Sequence, residues 1–315
     1  MDPLTDIIRL LRPKSALLGA MSASGRWGIR MPPQPGPTFY LVTEGRCWFK
    51  ADGGEPLELK CGDYILSAKP LSDAFLSSPE VNAVVADAAF KACHTIEGEL
   101  RIGDANQVPK TKVLGGLILC DRANADMLIE LLPRYIHVCA SRNRSAMIEA
   151  LITMIRDEAS ASRPGHDAVL SRLLEVMLIK TLRNDMSTFA MDHGTLRALS
   201  DERLNRALSY IHANVSRDWT IAILARHAGM SRSVFARKFS QVLGMAPIEY
   251  LLRWRMALAK DSLLRNAGTL EQIAASVGYQ SASAFSTAFR QKVGCSPSQY
   301  ALRFAQDNST VPQSR

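Results

Sequence analysis

The spacing of apolar residues changes character along the chain. Residues 4 to 11, LTDIIRLL, predict a short amphipathic helix. From Ser15 to Val85 the pattern breaks into short β-type runs separated by turn residues. ALLGAMSASGRWGIRM reads as two strands closed by the loop PPQPGP at 32 to 37. Further strands are expected at about 38–43, 46–50, 57–60 and 64–67, divided by Glu44-Gly45, Asp52-Gly53-Gly54 and Cys61-Gly62-Asp63. Strands so spaced, with glycine in the turns, argue for a small antiparallel barrel or sandwich. From Asn124 the pattern turns helical, first in ANADMLIELLPRY, then at about 143–161 and 166–185. Met147, Ile148, Leu151, Ile152, Met154 and Ile155 make a wide stripe on the second of these helices. Leu170, Leu173, Leu174, Val176, Met177 and Leu178 do the same on the third. Such stripes serve either core packing or a shared dimer seam. A linker, NDMSTFAMDHGTLRALSD, leads to the helix ERLNRALSYIHANV.

Beyond that helix one pattern occurs twice. Thr220, Leu224, Ala225 and Gly229 recur 49 residues later as Thr269, Ile273, Ala274 and Gly278. Ser231, Phe235, Phe239, Gly244, Pro247 and Tyr250 recur 50 residues later as Ser281, Phe285, Phe289, Gly294, Pro297 and Tyr300. Each copy reads as N-cap, short helix, glycine stop, second N-cap, and a helix with a Phe pair at i, i+4. Thr269 with Gln272 also fits a capping box. A helix pair joined by so short a turn is the shape that places its second helix in a major groove. The helix expected from Pro247 to Leu264 joins the copies; at roughly 1.5 Å per residue it spans about 27 Å, close to the ~34 Å of one DNA turn.

Residues 203–304 resemble the DNA-binding domain of the AraC/XylS transcription regulators. The resemblance is carried by LARHAGMSRSVFARKFSQVLGMAPIEYLLRWRMALA and IAASVGYQSASAFSTAFRQKVGCSPSQYALRF. It implies an all-α domain with two helix-turn-helix units, 220–243 and 269–293, followed by a tail at 305–315. RWGIRMP, FYLVTEGRCWF, DGGEPLELKCGDYIL and the stretch 114–138 are similar to the cupin-like sensor domain of one branch of these regulators. That similarity implies a multidomain α+β chain. Residues 1–195 would form a cupin-like β-barrel with a helical dimerisation segment, binding an effector or a partner subunit.

Charge sharpens this division. The chain of 315 residues carries a net +8. Residues 201–315 hold 15 Lys and Arg against 7 Asp and Glu, while residues 1–200 hold 23 of each. The whole excess therefore falls on the duplicated segment, as expected of a DNA-binding module attached to a neutral one. The N-terminus lacks the features of a signal peptide and no run of 18 apolar residues occurs, so a cytoplasmic protein without a membrane span is expected. The six cysteines, 47, 61, 93, 120, 139 and 295, show neither CxxC nor zinc-ligand spacing and read as free thiols.

Metal-binding cupins place a His-x-His pair and a carboxylate on their early strands, yet the strand from Phe39 to Lys50 has no histidine. His94 and His137 stand isolated in the sequence, so neither a metal nor a cofactor is expected. Phe39, Leu41 and Trp48 are candidate effector contacts; alternation puts Phe39 and Leu41 opposite Tyr40 and Val42 without saying which side is inside. On the first reading helix, Ser231, Arg232, Ser233, Arg237 and Lys238 are the candidate DNA contacts. The resemblance matches Arg237 to a base-reading position, and Arg232 and Lys238 suit phosphates. On the second, Ser281, Ser283, Ser286, Thr287 and Arg290 face outward. Many relatives carry arginine where Thr287 stands, so weaker base reading is expected there. The expectation is a homodimeric transcription regulator of double-stranded DNA, an activator responding to a small molecule and working on RNA polymerase. Its alternatives are a repressor at the same type of site, or a cupin-type enzyme fused to a DNA-binding domain.

Overall fold

The computed structural model describes residues 2–34, 36–51, 53–68, 72–96, 98–120, 124, 134–140, 146–160, 163–184 and 195–307. Contacts divide these residues into two compact units. One holds residues 13–120 and 134–184. The other holds the first twelve residues, Asn124 and everything from 195 onward. The opening helix thus belongs with the C-terminal helices, whereas the sequence grouped residues 1–195 together.

Among the described residues the first unit is built on twelve strands: β1 (Lys14–Ser24), β2 (Gly28–Arg30), β3 (Thr38–Glu44), β4 (Arg46–Lys50), β5 (Leu57–Lys60), β6 (Tyr64–Ser67), β7 (Ala74–Leu76), β8 (Val84–Val85), β9 (Thr95–Ile96), β10 (Glu99–Gly103), β11 (Thr111–Leu119) and β12 (Tyr135–Val138). They form two sheets instead of a closed barrel, ordered β12-β6-β3-β11-β1-β10-β9 and β5-β4-β7-β2-β8. Two pairings, β1 with β10 and β2 with β8, are parallel. The hydrophobic core draws Met21, Tyr40, Val42 and Val113 from the first sheet and Ile29, Phe49, Leu59 and Phe75 from the second. Tyr40 meets Phe75 edge-on, with ring centroids 4.7 Å apart, and Phe49 lies 5.5 Å from the same ring. β12 falls where the sequence read only helix; it pairs antiparallel with β6. The helix expected in ANADMLIELLPRY lies almost wholly outside the described residues.

Among the described residues this unit also holds three helices, α2 (Ala88–His94), α3 (Ala146–Ser160) and α4 (His166–Asn184), while α1 (Pro3–Leu11) belongs to the other unit. α3 packs on α4, and α4 on β1, where Ser171 Oγ donates to the Ser15 carbonyl at 3.0 Å. Ile148, Leu151, Ile152 and Ile155 are buried, as are Leu170, Leu174, Met177 and Leu178. The stripes are wider than this packing uses. Met147 and Met154 remain 53% exposed and Val176 41%, and Val169, beside the second stripe, is 46% exposed.

The second unit comprises α1 (Pro3–Leu11), α5 (Thr195–Ser200), α6 (Glu202–Ala213), α7 (Ile221–His227), α8 (Arg232–Leu243), α9 (Pro247–Leu264), α10 (Leu270–Ser276), α11 (Ala282–Val293) and α12 (Pro297–Asp307). α5 occupies part of the expected linker, and α12 runs into the expected tail. α9 is the hub, starting on Pro247 at a first-turn position that needs no N–H donor, and burying Tyr250, Leu251, Trp254, Arg255 and Met256. Arg255 donates from Nε to the Val215 carbonyl (3.0 Å) and from Nη2 to the Arg217 carbonyl (2.9 Å), holding the loop between α6 and α7. A side chain on Gly278 would place its Cβ 2.6 Å from that Nη2, so Gly278 is required by space as well as by its φ of +83°. No helix among the described residues is long and apolar enough to cross a membrane.

α1 begins at the N-cap Asp2 and buries Leu4, Ile7, Leu10 and Leu11 against α6 and α9. Asp6 on this helix lies 3.4 Å from His212 Nδ1; the imidazole stacks on Trp254 at 4.1 Å, and its Nε2 is 2.9 Å from the Tyr250 hydroxyl. Burial pushes His212 below the usual imidazole pKa, and the Asp6 carboxylate only partly offsets this. A histidine depressed in the folded state contributes stability above its unfolded pKa of roughly 6.5, and that stability is lost as pH falls through the folded value. Hydrogen exchange in α6 is therefore expected to accelerate on lowering pH from about 7.5 to about 5.5, after correction for intrinsic exchange. His212→Gln should abolish most of that acceleration; equal acceleration in both proteins would exclude His212 as its source.

Candidate nucleic-acid interface and ligand cavity

Local signals build the helices of each helix-turn-helix unit. In the first unit of the repeat, the Thr220 hydroxyl accepts from the Ile223 N–H (3.3 Å) and caps α7, while Ser231 accepts from Val234 N–H (3.4 Å) and caps α8. In the second, Thr269 and Gln272 form a reciprocal capping box at α10, and Ser281 accepts from Ala284 N–H (3.1 Å) at α11. Gly244 and Gly294 close α8 and α11 in the left-handed conformation.

An aromatic arrangement then fixes which face each helix shows. Phe235 and Phe239 are fully buried with centroids 5.5 Å apart, and Phe239 meets Tyr250 of the next helix at 5.9 Å and 74°. Phe285, Phe289 and Tyr300 repeat this at 5.5 Å, then 5.6 Å and 76°. With those faces buried, Ser231, Arg232, Ser233 and Arg237 are exposed on the first helix, and Ser281, Ser283, Thr287 and Arg290 on the second. Ser286 is half-buried. Arg232, Arg237 and Arg290 have no ion-pair partner among the described residues. Ser283, Ser286, Thr287, Arg290 and Gln291 line one shallow groove. Gln291 was not singled out by sequence reasoning; its position one residue past Arg290 was the available signal.

Two site residues are engaged internally. Lys238, expected on phosphate, forms an ion pair with Asp201, the N-cap of α6. Burial works against ionisation of Asp201, but the Lys238 ammonium and the N–H groups of Leu204 and Arg203 hold its pKa below the usual range. Lys238 therefore ties α8 to the start of α6. Thr287 Oγ1 donates to the Ser283 carbonyl at 3.1 Å, which leaves its oxygen as an acceptor.

The strand-rich unit contains a cavity of about 180 Å³ lined by Met21, Met31, Tyr40, Phe75, Leu100 and Val113, with Lys91 and Thr95 adding polar groups. None of Phe39, Leu41 and Trp48 lines it. Strand alternation puts Tyr40 and Val42 on the side of the hydrophobic core, so Phe39 and Leu41 face the other way, where Phe39 stacks on Tyr64 at 6.2 Å. Trp48, on the sheet opposite β3, is only half-buried. His137, read as isolated, lies 3.2 Å from Asp63.

Comparison with known proteins accords with this layout. Residues 2–187 match the family model described as Cupin, and residues 224–303 that described as Helix-turn-helix domain. A "Putative AraC-like transcription regulator" of Streptomyces lividans is 34% identical over 287 residues, covering 90% of this chain and 92% of that protein. The "HTH-type transcriptional regulator AlkR" of Acinetobacter baylyi is 27% identical over 293 residues, covering 90% and 94%. The crystal structure of a transcriptional regulator with an AraC-type DNA-binding domain from Chromobacterium violaceum shares 29% identity, covers 35% of this chain and 97% of that one, and gives a TM-score of 0.32. With a cupin-type unit preceding two capped helix-turn-helix units, and identity sustained across both, the chain belongs to the AraC-type family of DNA-binding transcription regulators.

Proposed function

We propose that this protein is a cytoplasmic, effector-responsive activator. Residues 203–304 would read an operator, and the strand-rich part would sense a small molecule and carry the dimer contact. The observation that carries the DNA-reading half is Arg237. It is exposed and unpaired among the described residues, on a helix whose other face is locked by Phe235 and Phe239. A guanidinium so held can bind guanine O6 and N7 together. Arg232 and Arg290 are free to grip phosphates, and the cap hydroxyls of Ser231 and Ser281 keep a proton to donate to them. Ser233, Ser283 and Ser286 offer hydroxyls that can donate or accept and so tolerate more than one base, while Thr287 offers an acceptor alone.

An activator's further partner is RNA polymerase; the same DNA contacts would serve a repressor. Reconstituted transcription from a bound promoter separates the two by the sign of the change in transcript. The cavity favours binding over catalysis. Among the described residues its ionisable lining groups are Lys91 and Tyr40, and burial raises the Tyr40 phenol far above its usual pKa, so it stays protonated at neutral pH. Met147 with Met154, and Val169 with Val176, are spaced seven residues apart on α3 and α4 and exposed, which suits a seam with a second copy.

Arg237→Ala is expected to weaken specific binding by about 1–3 kcal/mol and relax preference at one or two operator positions. Thr287→Ala should cost less and leave base preference nearly unchanged. Arg290→Ala should weaken binding to all sequences alike and lower the salt slope by about one phosphate contact. Affinities for single-base operator variants at two salt concentrations check all three, and greater relaxation by Thr287→Ala than by Arg237→Ala would reverse the assignment of the main reader. Met154→Glu with Val176→Glu should shift the protein from dimer to monomer in light scattering; an unchanged dimer would place the seam elsewhere.

A further inference from the structure

β12 carries His137, and Cys139 follows two residues later. Ile136 and Val138 between and beside them are fully buried, so in an extended chain His137 and Cys139 project from the opposite face together. The register pairs His137 with Ile65 and Val138 with Tyr64, which brings this face beside Asp63 at the head of β6. Asp63 is only 3% exposed. Its Oδ1 accepts from the Ala140 N–H (2.8 Å), its Oδ2 accepts from the Lys60 N–H (3.0 Å), and His137 Nε2 lies 3.2 Å from Oδ2. One ligand atom from each of Asp63, His137 and Cys139 falls within 4.8 Å of the others.

We propose that Asp63, His137 and Cys139 form a zinc site that fastens β12 to the Cys61–Asp63 turn. The donor set is one oxygen, one nitrogen and one sulfur. A thiolate with an imidazole selects Zn²⁺ over the oxygen-seeking Mg²⁺ and Ca²⁺. Tetrahedral ligands at bond lengths of roughly 2.0–2.3 Å stand about 3.3–3.8 Å apart. The trio therefore has to close by about 1 Å at its widest, within reach of a small side-chain rotation at Cys139. The carboxylate is already oriented by two backbone donors, the outer-shell support that a metal-binding carboxylate needs. Binding releases the Cys139 thiol proton to solvent, the proton on His137 Nε2 passes through solvent to Nδ1 so that Nε2 is free to bind, and the metal replaces the His137–Asp63 contact by bonds to both. The three ligands found among the described residues leave a fourth position, and the half-buried edges of His137 and Cys139 admit water or a small exogenous ligand there.

The test uses the full chain carrying Cys61→Ser and Cys93→Ser, because those two thiols are exposed and would bind metal on their own. After chelation and dialysis, Zn²⁺ is titrated against a chromophoric chelator, and Co²⁺ is added separately to look for thiolate-to-cobalt charge-transfer absorption. One zinc per chain and a clear charge-transfer band are expected. Cys139→Ser and His137→Gln should each raise Kd by more than about a hundredfold, beyond the usual cost of losing an outer-shell contact. Zinc should raise the Tm of the parent but not of Cys139→Ser. Zinc bound equally by both variants would assign the metal elsewhere and overturn the proposal. If a variant fails to fold by circular dichroism, the cobalt spectrum of the parent decides, and absence of the thiolate band overturns it.

Discussion

The DNA-binding unit depends on one contact made twice, a Phe–Phe–Tyr arrangement that clamps the second helix of each helix-turn-helix unit to the helix after it. Phe235, Phe239 and Tyr250 form it once, and Phe285, Phe289 and Tyr300 form it again with nearly the same distances and angles. Edge-to-face rings prefer a narrow range of orientations, so the contact sets helix rotation as well as separation. Rotation decides which residues point away from the core. Arg237 and Thr287 are exposed as a consequence of where the phenylalanines are buried.

The two heads are tied to one another through α9. Tyr250 from its first turn completes the first aromatic contact, and Glu249 beside it bonds Lys292 of α11 at 3.0 Å. Farther along, Arg255 holds the loop before α7 and crowds the turn at Gly278. A buried guanidinium is costly unless its donors are satisfied, and two carbonyls meet that need here. The opening helix adds a third element to the same hub through Asp6, His212 and Trp254. Lys238, part of the positive charge noted in the sequence, is drawn into the same scaffold by Asp201.

In the strand-rich unit, strand alternation separates two jobs. One face of β3 supplies Tyr40 and Val42 to the core and Tyr40 to the cavity wall, and the other supplies Phe39 and Leu41 to separate packing. The tight approach of β11 to β3 depends on small residues. A Cβ on Gly116 would meet the Phe39 ring at 2.2 Å. Cavity, sheet order and the clustering of Asp63 with His137 all follow from pairings between distant strands.

What the sequence determined by itself is everything written in short-range signals. Caps at Thr220, Ser231, Thr269 and Ser281, glycine stops, Pro247 and the i, i+4 phenylalanines are chosen by backbone hydrogen bonds a few residues away, so the repeat and its helix ends were legible, as were strands β3 to β6. The exposed Arg237 and Arg290 could be inferred because helical period alone puts them opposite the buried rings. What only the tertiary structure decided involves partners far apart in sequence. Which face of β3 lines the cavity depends on the second sheet. The loss of Lys238 to Asp201, the docking of α1 on His212, the late strand β12 and the meeting of His137 with Asp63 have no local signature. Their energies come from contacts spanning tens to hundreds of residues, and period or capping cannot register a contact whose other half lies outside the window being read.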